Sequence, residues 1–261
     1  MKTKTNDLVV FAMKRSGNNA LKYWLVRGRW MAIQGNCRPK HFTGYDSPEV
    51  PEFREPVAMP LDMRGLRRHG TARFRLACLF KRPLYLGIED QTFFSHALPE
   101  ATAILLIRSA PNVFASRLAR SHEGHPDYPG ELGPVLQRKI ETWCQHTETA
   151  IAAIGPNGMP TSPDEVLPIY YDRWLIDPAY RMALGEMLGL SHPSELPTKR
   201  GRGGKGSSFN GYRPLEHSAS RRELLRRAEL LDPTLRAVLD SVLANPRLAA
   251  AQRSLNALHG T

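Results

Sequence analysis

The chain alternates short, almost wholly apolar runs with longer stretches of helical periodicity, and this alternation sets its fold class. The apolar runs predict buried strands at Leu8–Met13, Leu84–Ile88, Ala103–Ile107 and Val166–Tyr170. The periodic stretches predict helices at Asn18–Arg27, Asn112–Arg120, Leu132–Ile154 and Ala179–Leu188. Since strands that alternate with helices form parallel sheets, we expect an α/β fold with a central parallel β-sheet flanked by helices.

Composition limits the number of domains and the class of partner. At 261 residues and 41% hydrophobic content, the chain can form one substantial core, so we expect a single domain over residues 1–261. The net charge of +11 favours anionic partners such as nucleotides, nucleic acid, acidic glycans or a membrane surface. The sequence contains no run of 18 apolar residues, so we expect no transmembrane segment. Cys37, Cys78 and Cys144 have neither metal-site nor disulfide spacing, which favours a reducing, cytoplasmic location.

Three segments depart from the alternation. Residues 35–83 are rich in proline and arginine and predict a long insertion over one end of the sheet. The stretch TKRGRGGKGSSFNG, residues 198–211, predicts an irregular loop whose glycines allow unusual dihedral angles. Residues 218–258 predict an amphipathic helical tail interrupted at Pro233 and Pro246, with its arginines on a solvated face and without a chemical role.

The stretch LVVFAMKRSGNNALKYWL, residues 8–25, predicts a strand, a glycine-containing turn and a helix. Such a turn directs backbone N–H groups and the positive end of the helix dipole towards an anion. The turn supplies two cations, a glycine and three short polar side chains, namely Lys14, Arg15, Gly17, Ser16, Asn18 and Asn19. A phosphate site is one interpretation, and a basic strand–helix connection with an asparagine cap is the other. The turn has neither the G-x-x-x-x-G-K-[ST] pattern of a P-loop nor the three spaced glycines of a dinucleotide site.

A second strand–turn–helix pattern occupies AILLIRSAPNVFASRLAR, residues 103–120. Arg108 stands at the end of the predicted strand, and Ser116 lies in the helix that follows. An arginine with a nearby hydroxyl can bind a second phosphate. The alternative is that Arg108 forms an ordinary ion pair at the end of a strand.

Two further stretches complete a pattern of four: VLPIYYDRWLIDP at 166–178 and GRGGKGSSF at 201–209. The other two members of the pattern are RSGNN at 15–19 and RSAPNVFAS at 108–116. Taken along the chain, the four stretches resemble the motifs of the sulfotransferases that use 3′-phosphoadenosine 5′-phosphosulfate (PAPS), and they occur in the same order as in that family. The chain departs from that family in having Asn18 and Asn19 for two threonines, Asp172 for a glutamate, and a proline displaced by one position. The resemblance covers about residues 7–30, 84–121 and 166–210.

The resemblance implies a P-loop-like sulfotransferase fold and a role for each motif. Lys14, Arg15, Ser16, Gly17, Asn18 and Asn19 would bind the 5′-phosphosulfate, with Arg15 and Lys14 offsetting charge on the leaving oxygen. Arg108 and Ser116 would bind the 3′-phosphate. Arg202, Lys205, Gly206 and Ser207 would close over the nucleotide. PAPS is then the co-substrate, and fixed cations take the place of a metal.

The resemblance also implies a catalytic base after the strand that precedes the second motif. Glu89 stands at that position, with Asp90 and His96 as alternatives, or else Glu89 pairs with an arginine of the insertion and shapes the pocket. The acceptor would be a hydroxyl, or an amine, of a glycan or small molecule. The cations before Glu89 favour an acidic acceptor or form a solvated face; they are Arg64, Arg67, Arg68, Arg73, Arg75, Lys81 and Arg82.

Three other functions fit parts of the sequence. A nucleotide-dependent small-molecule kinase would need a Walker lysine and a magnesium carboxylate, and the turn lacks that lysine pattern. A nucleic-acid-binding protein fits the charge, but the chain has no recognised nucleic-acid motif, so we expect no specific nucleic-acid partner. A sulfotransferase-like protein that binds nucleotide without catalysis is the third, because of the two asparagines at 18 and 19.

Overall fold

A computed structural model describes residues 8–13, 15–26, 32–37, 84–90, 102–121, 133–161, 166–190, 193–196 and 225–259. The strands in these ranges are β1 (Leu8–Ala12), β2 (Ala32–Cys37), β3 (Leu84–Glu89), β4 (Thr102–Ile107) and β5 (Leu167–Tyr170). The α-helices are α1 (Asn18–Val26), α2 (Ala110–Ser121), α3 (Pro134–Ala152), α4 (Tyr171–Ile176), α5 (Pro178–Met187), α6 (Pro233–Leu243) and α7 (Pro246–His259). A 3₁₀ helix spans Arg227–Leu230.

The five strands form one parallel sheet in the order β2-β3-β1-β4-β5. Ala12 at the end of β1 lies opposite Glu89 of β3 and Leu106 of β4. Ile107 of β4 lies opposite Tyr170 of β5. Because these four strands end at the same edge of the sheet, the residues that follow them emerge side by side.

Both faces of the sheet are buried at β1, β4 and β5. Val9 and Phe11 of β1 pack towards α2, α3, α6 and α7, whereas Leu8 and Val10 pack towards α1, α4 and α5. All four side chains are at most 4% exposed. A strand covered on both faces needs apolar residues at successive positions, which is why β1 is a continuous hydrophobic run.

The strand order changes direction at β1. The chain runs from β1 to β2 and β3 on one side of β1, then crosses to β4 and β5 on the other side. In open parallel sheets, ligands bind outside the carboxyl ends of the strands at such a switch point. The residues that follow β1 and β4 therefore lie where the topology favours a ligand.

The predicted α/β class is confirmed, and the four predicted strands and helices each correspond to an observed element. Pro111 lies in the first turn of α2, and Gly189, with a φ angle of 61°, follows the end of α5. The sequence did not predict β2 or the short helix α4. Most of the predicted insertion, residues 38–83, and the predicted loop at 198–211 lie outside the described residues.

The described part of the C-terminal tail is helical, as predicted. Pro233 and Pro246 are the first residues of α6 and α7, where a missing N–H does not break a helical hydrogen bond. The side chain of Asp232 accepts a hydrogen bond from the amide of Leu235 at 2.9 Å and caps α6. The two prolines therefore begin helices.

Candidate functional site

The turn after β1 is tight and holds an arginine in an uncommon conformation. Arg15 and Gly17 have φ angles of 76° and 100°. The amide of Ser16 donates a hydrogen bond to the carbonyl of Met13 at 3.2 Å, and the amide of Leu21 donates to the carbonyl of Gly17 at 3.1 Å. A non-glycine residue at positive φ costs about 1–2 kcal/mol, so surrounding contacts must hold Arg15 in place.

Gly17 lies directly against the ring of Tyr171. A β-carbon at position 17 would overlap that ring. The ring is itself fixed, because Tyr171 is 3% exposed and stacks on Trp174 with centroids 5.5 Å apart. Glycine is therefore required at position 17 both for its positive φ and for the approach of Tyr171.

Arg108 connects the turn after β1 with the end of β5. Its Nη1 donates a hydrogen bond to the carbonyl oxygen of Arg15 at 2.9 Å, and its Nε lies 3.5 Å from Oδ1 of Asp172. Its guanidinium carbon is 5.4 Å from the centre of the Tyr171 ring. The carbonyl of Arg108 accepts a hydrogen bond from the indole of Trp143 at 2.9 Å. Arg108 thus forms the strand-end ion pair that the sequence left open, and it does so beside the basic turn.

Asp172 is the carboxylate that orients this arrangement. Its Oδ2 accepts a hydrogen bond from the amide of Ser109 at 3.0 Å, and its Oδ1 faces Arg108. Only 7% of its side chain is exposed. One buried carboxylate therefore fixes both the guanidinium and the backbone that follows β4, which gives a structural reason for an acidic residue after Tyr171.

Arg227 belongs to the same cluster, although the sequence assigned it to a solvated face without a chemical role. This expectation was wrong for Arg227, which is 2% exposed. Its Nη1 donates a hydrogen bond to Oγ of Ser116 at 3.2 Å, and its amide donates to Oδ1 of Asn112 at 3.1 Å. Nδ2 of Asn112 donates in turn to Oγ of Ser109 at 2.9 Å. The 3₁₀ helix that contains Arg227 packs on α2, and this contact buries the guanidinium.

The cluster carries more positive than negative charge. Among the described residues it combines Arg15, Arg108 and Arg227 with the carboxylate of Asp172. Burial, together with the charges of Arg108 and Arg15, lowers the pKa of Arg227 to about 9. Burial raises the pKa of the Tyr171 hydroxyl, although the two nearby arginines favour its ionised form. Because like charges repel one another strongly at a buried site, a bound anion would stabilise this cluster.

Asp90, one of the candidate bases, follows β3 at a φ angle of 58° and is held by two cations. Its carboxylate lies 3.0 Å from Nη1 of Arg117 and 3.4 Å from Nζ of Lys139, and its side chain is 7% exposed. Its amide donates to the carbonyl of Ala12 at 2.9 Å. Because both cations contact its carboxylate, the arrangement around Asp90 fits a structural role better.

The structure brings together several of the residues that the sequence predicted for the site. Arg15, Ser16, Gly17 and Asn18 lie on the turn and at the start of α1, Arg108 contacts this turn, and Ser116 is reached through Arg227. The backbone of Asn19 and Glu89 is described but their side chains are not, and Glu89 ends β3 opposite Ala12. Outside the described residues lie Lys14, His96, Arg202, Lys205, Gly206 and Ser207.

Helical spacing could have indicated Arg227. It stands three residues after Leu224 and four before Leu231, so it shares the apolar face of the sequence LLRRAELL. Arginine on an apolar face is either paired or functional, because a buried charge without partners is unfavourable. The partners themselves, Asn112 and Ser116, are more than 100 residues away and could not be read from spacing.

Comparison with known proteins does not assign the site. The chain matches no protein-family model, and no curated protein matches it. In the described part of the chain, no helix is both long and apolar enough to cross a membrane. Within the same residues, no three His, Cys, Asp or Glu side chains are grouped as ligands for a metal ion.

Proposed function

We propose that the protein is a PAPS-dependent sulfotransferase with a P-loop-like fold, which transfers a sulfuryl group to a hydroxyl or amine of a glycan or small molecule. The observation that carries the proposal is the hydrogen bond from Arg108 to the carbonyl of Arg15, at 2.9 Å. It joins the two basic strand-end turns that the sequence pattern links to the two phosphorylated positions of one adenosine.

The position of the two turns supports a nucleotide that spans them. The first follows β1 and the second follows β4, at the edge where the strand order changes direction. The turn at Arg15–Gly17 precedes the N-terminus of α1, which favours the 5′-phosphosulfate through backbone N–H groups and the helix dipole. Arg108 and Ser116 would bind the 3′-phosphate, which distinguishes this donor from ATP.

Sulfuryl transfer would proceed by in-line displacement. The acceptor oxygen forms a bond to sulfur while the bond from sulfur to the bridging oxygen of the 5′-phosphate breaks, and the electron pair stays on that oxygen. The products are the sulfated acceptor and 3′-phosphoadenosine 5′-phosphate. Arg15, with Lys14, would offset the negative charge that develops on the leaving oxygen, as cations do in phosphoryl transfer.

Glu89 is the residue we propose as general base, accepting the proton of the acceptor hydroxyl. It ends β3 opposite Ala12, so it emerges next to the strand that leads into Arg15. Asp90 is a weaker candidate because Arg117 and Lys139 bind its carboxylate. The basic residues 64–82, which precede Glu89 in the sequence, suit an acidic acceptor.

Donor binding provides the direct test. A ligand at 100 times its Kd raises the free energy of unfolding by about 2.7 kcal/mol. We expect 3′-phosphoadenosine 5′-phosphate to raise the melting temperature, and AMP or ATP with magnesium to raise it much less. Equal stabilisation by ATP would favour the kinase, and salt-sensitive binding to long DNA without nucleotide preference would favour nucleic-acid binding.

Transfer is then measured with radiolabelled PAPS and a panel of acceptors. The panel contains an acidic glycan, its neutral counterpart and a small phenol, all incubated with excess chelator. The wild-type protein should transfer label to at least one acceptor. Reactions without protein should label none of them. Donor binding without transfer to any of these acceptors would favour the catalytically inactive alternative.

A further inference from the structure

We propose that Arg227 is a specificity-determining residue of the donor site, binding the 3′-phosphate together with Ser116. The C-terminal helical region would then contribute a side chain to the site, beside the two strand-end turns. This inference rests on the proposed function and extends it to a part of the chain for which the sequence predicted no chemistry.

The contact between Arg227 and Ser116 has a defined direction. A guanidinium group has only donors, so Oγ of Ser116 is the acceptor in the hydrogen bond of 3.2 Å. The hydroxyl proton of Ser116 is therefore not used in this bond and can be donated to a phosphate oxygen. A guanidinium beside a hydroxyl donor is a favourable arrangement for a phosphate.

Asn112 holds Arg227 at this position through the backbone. The side-chain oxygen of Asn112 accepts from the amide of Arg227, and its nitrogen donates to Oγ of Ser109, next to Arg108. The hydrogen bonds thus connect the start of the 3₁₀ helix to the residues that follow β4. Arg227 is placed before any ligand arrives, so binding would not need to order this backbone.

The charge around Arg227 also favours an anion. Its side chain is 2% exposed, and the charges of Arg108 and Arg15 add to the cost of burial. Among the described residues, Tyr171 and Asp172 are titratable groups that oppose this cost, and Asp172 also lies 3.5 Å from Arg108. The two negative charges of a phosphate monoester would offset the repulsion that Arg108 and Arg15 exert on Arg227.

The test compares Arg227→Met with Arg226→Met. Arg226 is the neighbouring residue, with 68% of its side chain exposed and an ion pair to Glu229, so the same substitution there leaves the cluster intact. The two probes are 3′-phosphoadenosine 5′-phosphate and AMP, which lacks the 3′-phosphate, and calorimetry measures each Kd. Arg227→Met should weaken binding of the bisphosphate about 10- to 100-fold and change the Kd for AMP less than about threefold. Arg226→Met should change neither Kd.

A second variant and a stability measurement separate binding from folding. Arg227→Lys keeps the charge but not the fork of donors, so we expect a loss of about tenfold for the bisphosphate. Without ligand, Arg227→Met removes the hydrogen bond to Ser116 as well as the repulsion from Arg108 and Arg15, so we expect a melting temperature close to that of the wild type. A lower melting temperature together with an unchanged Kd would show that Arg227 is purely structural and would overturn the proposal.

The two proposals fail in different ways. If the wild type binds the bisphosphate no more tightly than AMP, the proposed function is wrong, and the inference fails with it. If the wild type prefers the bisphosphate and both Arg227 variants keep that preference, the inference is wrong while the proposed function stands.

Discussion

Arg108 donates a hydrogen bond from Nη1 to the carbonyl oxygen of Arg15 at 2.9 Å, across 93 residues of sequence. The acceptor belongs to a residue with a φ angle of 76°, so the bond helps to hold the strained turn. The same guanidinium faces Asp172. Arg108 is therefore a structural link between two motifs as well as a proposed phosphate ligand.

Substitution of Arg108 should affect both stability and binding. Arg108→Met leaves the carboxylate of Asp172 buried without its cation, which costs about 3–5 kcal/mol of unfolding free energy. The double variant Arg108→Met with Asp172→Asn should recover part of that loss, as measured by urea unfolding, but should not recover the preference for 3′-phosphoadenosine 5′-phosphate over AMP. Recovery of the preference would remove Arg108 from the proposed 3′-phosphate site.

Gly17→Ala should destabilise the protein through two separate effects. Positive φ costs alanine about 1–2 kcal/mol, and displacement of the Tyr171 ring adds about 1–3 kcal/mol. The matched control is the double variant Gly17→Ala with Tyr171→Ala, which removes the overlap and keeps the strained φ. Its loss of unfolding free energy should be smaller than the sum of the two single losses. Simple additivity would mean that the ring does not restrict position 17.

Glu89→Gln should lower kcat by about 10²- to 10⁴-fold with little change in donor Kd, since it removes a proton acceptor and not a phosphate ligand. Asp90→Asn is the neighbouring control, because asparagine tolerates the positive φ at this position while removing the charge. We expect it to lower the melting temperature, through loss of the contacts with Arg117 and Lys139, more than it lowers kcat in the folded protein. The reverse pattern in the two variants would make Asp90 the base.

His259 should make the protein less stable in acid. It stacks on Tyr170 with centroids 4.5 Å apart, and burial, with a smaller effect of Arg173, lowers its pKa to about 4 from 6.5. Above pH 6.5 the ring is neutral in both states. As the pH is lowered from 6.5 to 4, His259 binds a proton in the unfolded chain before it does so in the folded protein. The unfolding free energy therefore decreases as the pH decreases, by about 3 kcal/mol in all.

His259→Phe keeps the stacking on Tyr170 and removes the titrating group. Urea unfolding at several pH values between 4 and 7 should therefore give a flatter pH dependence for this variant than for the wild type. Parallel curves for the two proteins would assign the acid sensitivity to other groups.

The sequence indicated the elements that local pattern controls. β1 and β4 are continuous apolar runs because both faces of these two strands are covered, and this property is visible residue by residue. Pro111 and Gly189 marked the two kinds of helix boundary at which their backbone geometry is favourable. β2, with the sequence AIQGNC, has no such run, and it was missed because its pairing with β3 depends on a strand distant in sequence.

The features of the candidate site also fall into those that the sequence indicated and those that it did not. The basic turn and the Arg108–Ser116 spacing were visible in the sequence, because each lies within one strand–turn–helix unit. The burial of Arg227 and the pairing of Asp172 with Arg108 were not visible, since they depend on which elements meet at the carboxyl edge of the sheet.

The sequence alone therefore determined the α/β class, the strands that lead to the basic turns, and the residue types available for an anion. The tertiary structure decided which cations share a site, which carboxylate each one faces, and which arginine of the C-terminal region is buried. The physical reason is range: hydrophobic periodicity and backbone preferences act over a few residues, whereas charge pairing and burial depend on contacts between segments far apart in the chain.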